Sequence, residues 1–154
     1  MEKEKLVEGA KKKRERYLYY LKQTEEGDTI AELMVSFLLR NGDGTVRNDK
    51  LSTMFLDLAS KKNEVAKVRR LYLGNKDHNL CYKLLKELEE REENLCWEEK
   101  MIVYHMLGYL HDTGEAYKDV SKAIGYYEKS ALLGNNYGYE KIFFHQIFLL
   151  YLFL

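Results

Sequence analysis

One spacing of residue types recurs along this chain of 154 residues, and it constrains the fold more than any other feature. Tyr19 to Ala31 reads YYLKQTEEGDTIA, Met54 to Ala66 reads MFLDLASKKNEVA, and Tyr126 to Asn136 reads YYEKSALLGNN. In each, two large apolar residues are followed at fixed distance by Gly27, Lys62 or Gly134, then by Asp28, Asn63 or Asn135, then by Ala31, Ala66 or Gly138. The first two copies are offset by roughly 35 residues and the last two by about twice that, which is the period of helix-pair solenoids. The segment LLKELEEREENLCW, Leu84 to Trp97, fills the slot between as a degenerate copy, with Glu93 in the Gly position and Asn94 at the cap.

Each part of the unit has a mechanical meaning. Tyr126 and Tyr127, with Ala131 one turn on, mark the buried stripe of a helix. Gly27 and Gly134 suit the left-handed position past a helix end. Asp28, Asn63 and Asn135 then cap the next helix through a side-chain oxygen, and Thr29 with Glu32 has the form of a capping box. Small residues at the following turn let two axes approach. The chain has no Pro, so nothing interrupts long helices. The pattern predicts helices over Lys5 to Glu25, Ala31 to Arg40, Leu51 to Lys61, Val65 to Leu73, Leu80 to Glu92, Trp97 to Leu110, Asp119 to Leu133 and from Tyr137 onward. Turns are predicted at Asn41 to Asn48 and Gly74 to His78.

The segment LGYLHDTGEAYKDVSKAIGYYEKSALLGN, Leu107 to Asn135, resembles a Sel-one-like repeat, a relative of the tetratricopeptide repeat. Leu107, Gly108, Gly114, Asp119, Lys122, Ala123, Tyr126, Tyr127, Ala131, Gly134 and Asn135 carry the likeness. Ala116 stands for the second turn Gly, and Ser130 for the first Ala of an Ala pair. An earlier copy, Ala31 to Asn63, keeps Gly42, Gly44, Val46 and Ala59 but has Val35 and Ser36 in place of LG. The resemblance implies an all-α fold, a right-handed α-α superhelix (solenoid) of about three helix-hairpin repeats plus terminal helices. Residues 1–28 are then a charged helix ending as a repeat's second helix, 29–135 the repeats, and 136–154 the apolar first helix of an incomplete one.

Charge excludes some functions. Lys plus Arg and Asp plus Glu number 25 each, so the overall field favours neither nucleic acid nor an anionic membrane. The run Lys11, Lys12, Lys13, Arg14 and Arg16, interspersed with Glu8 and Glu15, reads as a solvated helix face. MEKEKLVEGAKKK lacks the apolar stretch of a signal peptide, so a cytoplasmic location is expected by default. Cys81 and Cys96 make no disulfide framework and read as small apolar residues. Ile142 to Leu154 is nearly all apolar but short of the ~20 residues that span a bilayer. It is expected to pack on the preceding hairpin or into a partner, with self-association through this C-terminus as a consequence.

Sites with recognisable chemistry are few. NGDGTV, Asn41 to Val46, resembles the centre of a calcium loop, but that register puts Leu39 first and Lys50 last, where Asp and a bidentate Glu are needed. His105 and His111 miss the i, i+4 spacing of a zinc pair, and His145 reads as a packing residue. No phosphate loop, dinucleotide fingerprint or nucleophile elbow appears, so no cofactor, metal or catalytic residue is expected. The run Glu87 to Glu93 reads as a hydrated helix face.

The family likeness implies a concave surface built from the first helix of each pair, suited to a protein or peptide. A non-catalytic interaction module or adaptor is therefore the expected function. Arg40, Arg69, Arg70, Tyr72, Tyr104 and His105, on first helices beside the apolar stripe, are the candidate partner-binding residues. Two other readings are a structural fragment of a longer repeat protein and a hydrolase of the β-lactamase-like cysteine-rich group. Paired repeat cysteines would mark the latter, and Cys81 and Cys96 are single and in different positions.

Overall fold

The computed structural model describes residues 1–75, 77–114 and 116–154. All regular structure among them is helical. The order is α1 (Glu2–Thr24), α2 (Thr29–Asn41), α3 (Asp49–Ser60), α4 (Glu64–Asn75), α5 (His78–Glu90), a 3-10 turn at Glu92–Asn94, α6 (Trp97–Thr113), α7 (Val120–Leu132) and α8 (Asn136–Leu152). The chain divides into two compact units, Met1–Arg70 and Leu71–Leu154.

In the first unit α2 is the central helix. Its run Leu33 to Leu39 is buried without a break, because α1 and α3 pack against it from different sides. Tyr17 and Tyr20 of α1, Leu56 and Ala59 of α3, and Val65, Ala66 and Val68 of α4 are buried with it. Each such large side chain contributes about 1.5–3 kcal/mol on leaving water. Two serines are also buried in the α2–α3 seam: the Ser36 hydroxyl donates to the Ser52 carbonyl at 2.7 Å and the Ser52 hydroxyl to the Ser36 carbonyl at 2.6 Å. Reciprocal bonding satisfies polar groups that would otherwise be costly to bury.

The second unit repeats the scheme around α6, buried from Met101 to Gly108 and again at Leu110 and His111. Helices α5 and α7 pack on α6, and α8 packs on α7. Tyr127 of α7 is fully buried and sits between two glycines. A Cβ on Gly108 would lie 2.8 Å from its ring, and one on Gly138 would lie 2.8 Å from its carbonyl oxygen. Asn135 joins three helices: its amide donates to His105 Nδ1 at 3.1 Å and to Ser130 Oγ at 2.9 Å, while its Oδ1 accepts from the Tyr137 N–H at 3.1 Å.

The repeat's punctuation takes the predicted form. Gly27 and Gly134 have φ of 76° and 102°, a region that residues with a Cβ resist. Asp28, Asn63 and Asn135 each accept a backbone N–H of the helix that follows. Asn48 and Asp119 do the same for α3 and α7.

Some local expectations are corrected. Asp28 is the cap of α2, and Thr29 is already its first helical residue, so the Thr29 and Glu32 capping box does not form. The cap of α6 is Cys96, not Asn94: the 3-10 turn consumes Asn94, and Glu99 reaches back to accept the Cys96 N–H at 3.0 Å. Gly74 lies inside α4 rather than in a turn; of that predicted turn, Lys76 lies outside the described residues. Arg16 does not face solvent with the rest of the basic run. It is drawn to Asp43 at 2.7 Å, which ties α1 to the α2–α3 loop.

Helix α8 is anchored at its start and exposed beyond it. Lys141 and His145 lie 3.6 Å and 3.2 Å from Asp112, but Phe143, Phe144, Phe148 and Leu150 are all more than half exposed. No helix among the described residues is long and apolar enough to cross a membrane.

Candidate functional site

The first-helix residues singled out in the sequence fall into the two units. In the first, Arg40 at the end of α2 donates to Thr53 Oγ1 at 3.1 Å and lies 3.8 Å from Asp49. Arg69 is buried with its guanidinium 5.0 Å from the centre of the Phe37 ring, and Arg70, more exposed, pairs with Asp57. In the second, Tyr72 lies against His78 at 5.4 Å and Tyr109 at 6.2 Å. Tyr104 is buried and its hydroxyl donates to Glu92. His105 is buried beneath Asn135 and the Tyr137 ring. Arg40, Arg70 and Tyr72 keep accessible surface, whereas Arg69, Tyr104 and His105 are occupied with packing.

A different constellation is assembled within the second unit. Tyr82 and Lys86 of α5, His111 of α6, and Lys122, Gly125, Tyr126 and Lys129 of α7 line an open groove of about 260 Å³. Its lining rings, Tyr82, His111 and Tyr126, belong to a continuous run. Tyr117 stacks on Tyr82 at 4.0 Å, Tyr82 meets His111 edge-on at 5.6 Å, His111 lies parallel to Tyr126 at 5.7 Å, and Tyr126 stacks on Tyr104 at 6.3 Å. Such ring pairs stabilise by about 0.5–1.5 kcal/mol each beyond burial. His111 is fixed by its Nδ1 N–H donating to the Tyr117 carbonyl at 2.7 Å.

Three ammonium groups edge this groove. Lys129 lies 5.3 Å and 5.7 Å from the centres of the Tyr104 and Tyr126 rings. Lys86 donates to Glu89 at 2.5 Å and to the Tyr126 hydroxyl at 3.3 Å; the bond to Glu89 holds its proton well above the ordinary lysine range. Burial and the hydrogen bond to Glu89 push the Tyr126 hydroxyl up as well. Lys122 is exposed and has no ion-pair partner among the described residues. With Glu89 engaged by Lys86, the rim is net cationic.

The decoy sites take structural roles. In the Asn41 to Val46 loop, Asp43 is paired with Arg16, and a Cβ on Gly44 would strike the Lys13 carbonyl. Among the described residues no three His, Cys, Asp or Glu side chains are grouped to hold a metal. Cys81 and Cys96 are free thiols, and burial pushes the Cys96 thiol up to about 11.

Comparison with known families matches the Sel1 repeat at residues 29–64 and 103–135, which are the hairpins α2–α3 and α6–α7. The chain carries Sel1 repeats. Among solved structures it is similar to a Sel1 repeat protein from Oxalobacter formigenes, with 18% identity and a TM-score of 0.42 over 84% of this chain and 54% of that one. It is also similar to a protective antigen of uropathogenic Escherichia coli with an SLR fold, with 19% identity and a TM-score of 0.43 over 84% of this chain and 28% of that one. The chain thus spans about half or less of the solved proteins it resembles. Comparison with curated proteins gives no significant match.

The two Sel1 segments account for most of the signature residues. Gly108, Tyr127, Ala131 and Asn135 build the hairpin itself and are buried, leaving no free surface for recognition, while Gly134 makes its left-handed turn. The groove residues share no pattern in sequence as a group, because they come from three helices, one of them in the stretch between the Sel1 matches. The available signal was on α7, where Lys122, Gly125 with Tyr126, and Lys129 follow an i, i+3/i+4, i+7 stripe on one helix face.

Proposed function

We propose that this Sel1-repeat chain is a non-catalytic protein-interaction module, an adaptor that receives a protein or peptide segment. The observation that supports this best is the groove between α5 and α7, a run of packed rings under a cationic rim. Its side chains are organised by stacking, which suits recognition by fixed surface rather than turnover. At about 260 Å³ it lies below the 300–1,000 Å³ common for whole small-molecule ligands and accommodates a side chain or two. Arg40 and Arg70 in the first unit, and Tyr72 in the second, add first-helix surface for the same kind of partner. Two unpaired thiols suit a reducing compartment such as the cytoplasm.

The test is to capture partners on the full chain carrying a photo-crosslinker at Lys83, exposed on α5 between Tyr82 and Lys86, then purify the captured protein and titrate it. A saturable complex supports the reading. If neither capture nor titration yields one, the module reading is wrong.

A second reading rests on α8. Phe143, Phe144, Phe148 and Leu150 form an exposed apolar surface larger than isolated surface residues explain, and a second copy of the chain or a further helix pair would cover it. Sedimentation velocity of the chain and of a Phe144→Glu, Phe148→Glu variant tests self-association: a dimer lost in the variant supports it, and a monomer in both removes it.

A further inference from the structure

We infer that the groove between α5 and α7 binds a carboxylate-bearing peptide segment, with Lys122 and Lys129 holding the acid and Gly125 admitting the peptide backbone. This rests on the interaction-module reading and names its ligand.

The first argument is the glycine. Gly inside a helix is destabilising relative to Ala, so a mid-helix Gly needs a reason. Gly108 and Gly138 have one inside the fold, since Tyr127 occupies the space a Cβ would take. Gly125, near the middle of α7, has none: a Cβ there would meet nothing within 4 Å, and the residue faces the groove. Absence of a side chain there serves something that approaches from outside. A peptide backbone laid across α7 is such a group.

Charge decides the second point. Lys122 and Lys129 stand about two turns apart on α7, on either side of Gly125 and Tyr126. Lys86, on the opposite wall, is committed to Glu89 and Tyr126. Lys122 therefore remains for a ligand, and Lys129, which shares the field of Glu89 with Lys86, is already held over two ring faces, which reduces the freedom it loses on binding. A carboxylate on the ligand completes the pair. The ring run beneath provides apolar contact for a neighbouring side chain.

The same features disfavour phosphate and nucleic acid. No Arg lines the groove, so the planar two-bond recognition that phosphate commonly uses has no donor here. The whole chain carries formal net charge +0 and offers no long-range field to a polyanion.

The experiment is fluorescence anisotropy of the full chain with a labelled synthetic peptide alternating Glu and Leu, its counterpart with Gln for Glu, and a labelled oligothymidylate. The Glu peptide should bind at least tenfold tighter than the other two, and more weakly as NaCl is raised from about 50 to 250 mM. Lys122→Gln with Lys129→Gln should weaken it about tenfold, and both residues are exposed, so the fold survives. Gly125→Ala should raise the melting temperature yet weaken the peptide several-fold. Equal binding of the Gln peptide, or an affinity unmoved in the lysine double variant or in Gly125→Ala, overturns the inference. Tighter binding of the oligothymidylate also overturns it and assigns the rim to nucleic acid. A crosslinked protein partner whose contact maps away from the groove defeats this assignment while leaving the interaction module standing.

Discussion

The ring of Tyr127 rests on the bare α-carbon of Gly108, where a Cβ would come within 2.8 Å of it. This contact sets how closely α6 and α7 cross, and the Tyr127 hydroxyl fixes the ring by donating to Asp112 at 3.0 Å. Gly108→Ala therefore forces either the ring or the helix axis to shift. We expect a loss of about 1–3 kcal/mol, read as a lower urea midpoint with unchanged slope. A midpoint equal to the native chain's would mean the seam is looser than these distances imply.

Gly125→Ala should act in the opposite direction. With open space where the methyl would go, the added helix propensity should stabilise the chain by about 0.5–1 kcal/mol. Paired melting curves of the two glycine variants separate a steric glycine from one kept for another reason.

Ser36 and Ser52 exchange hydroxyl-to-carbonyl bonds while their Oγ atoms lie 3.0 Å apart. Removing one hydroxyl strands part of the other's environment, so Ser36→Ala should cost about 1–2 kcal/mol. The double variant Ser36→Ala, Ser52→Ala should cost less than the two single losses added together, because the partners vanish together. A double-mutant cycle by chemical denaturation checks the sign of that coupling.

The thiols should be sluggish. Burial, with Glu99 and Glu98 nearby, raises Cys96 to about 11 against an ordinary 9.0, and burial raises Cys81 too. The thiolate of Cys96 at pH 8 is then about a hundredfold scarcer than in an unfolded chain. A disulfide-exchange reagent should label both residues slowly in buffer and rapidly in urea. Fast labelling of Cys96, which is half-buried, would contradict its raised thiol.

Glu89 makes part of the stability depend on pH. Burial alone would raise its carboxyl, but the hydrogen bonds from Lys86 and Tyr126 together outweigh that and leave it below the ordinary 4.5. A lowered folded value means the ionised carboxylate is favoured by folding. Its contribution is complete above the unfolded carboxylate range and is lost as pH falls through the folded value. The native chain should thus lose stability below about pH 4.5 more steeply than Glu89→Gln does, and the two denaturation midpoints should draw together as the pH falls further. Parallel curves across that range would show that the Lys86 pair contributes nothing.

What the sequence by itself determined was everything that depends on residues near one another along the chain. A helix cap is a contact between a side chain and a backbone N–H two or three residues on, so Asp28, Asn63 and Asn135 were legible. The left-handed turns at Gly27 and Gly134 are equally local. The repeat period then placed the helix pairs, because a recurring local pattern fixes which stripe each helix must bury.

Tertiary structure decided what lies between helices. Arg16 was indistinguishable in sequence from its basic neighbours until the α2–α3 loop brought Asp43 to it. The cap of α6 passed from Asn94 to Cys96 because a 3-10 turn intervened. Gly108 and Gly125 are both single glycines in apolar helical segments, and only the neighbour across the space, a Tyr127 ring for one and open groove for the other, tells them apart. The groove itself gathers Tyr82, His111 and Lys122 from three helices. Their separations along the chain follow no period, so no local pattern encodes their meeting, and packing alone brings them together.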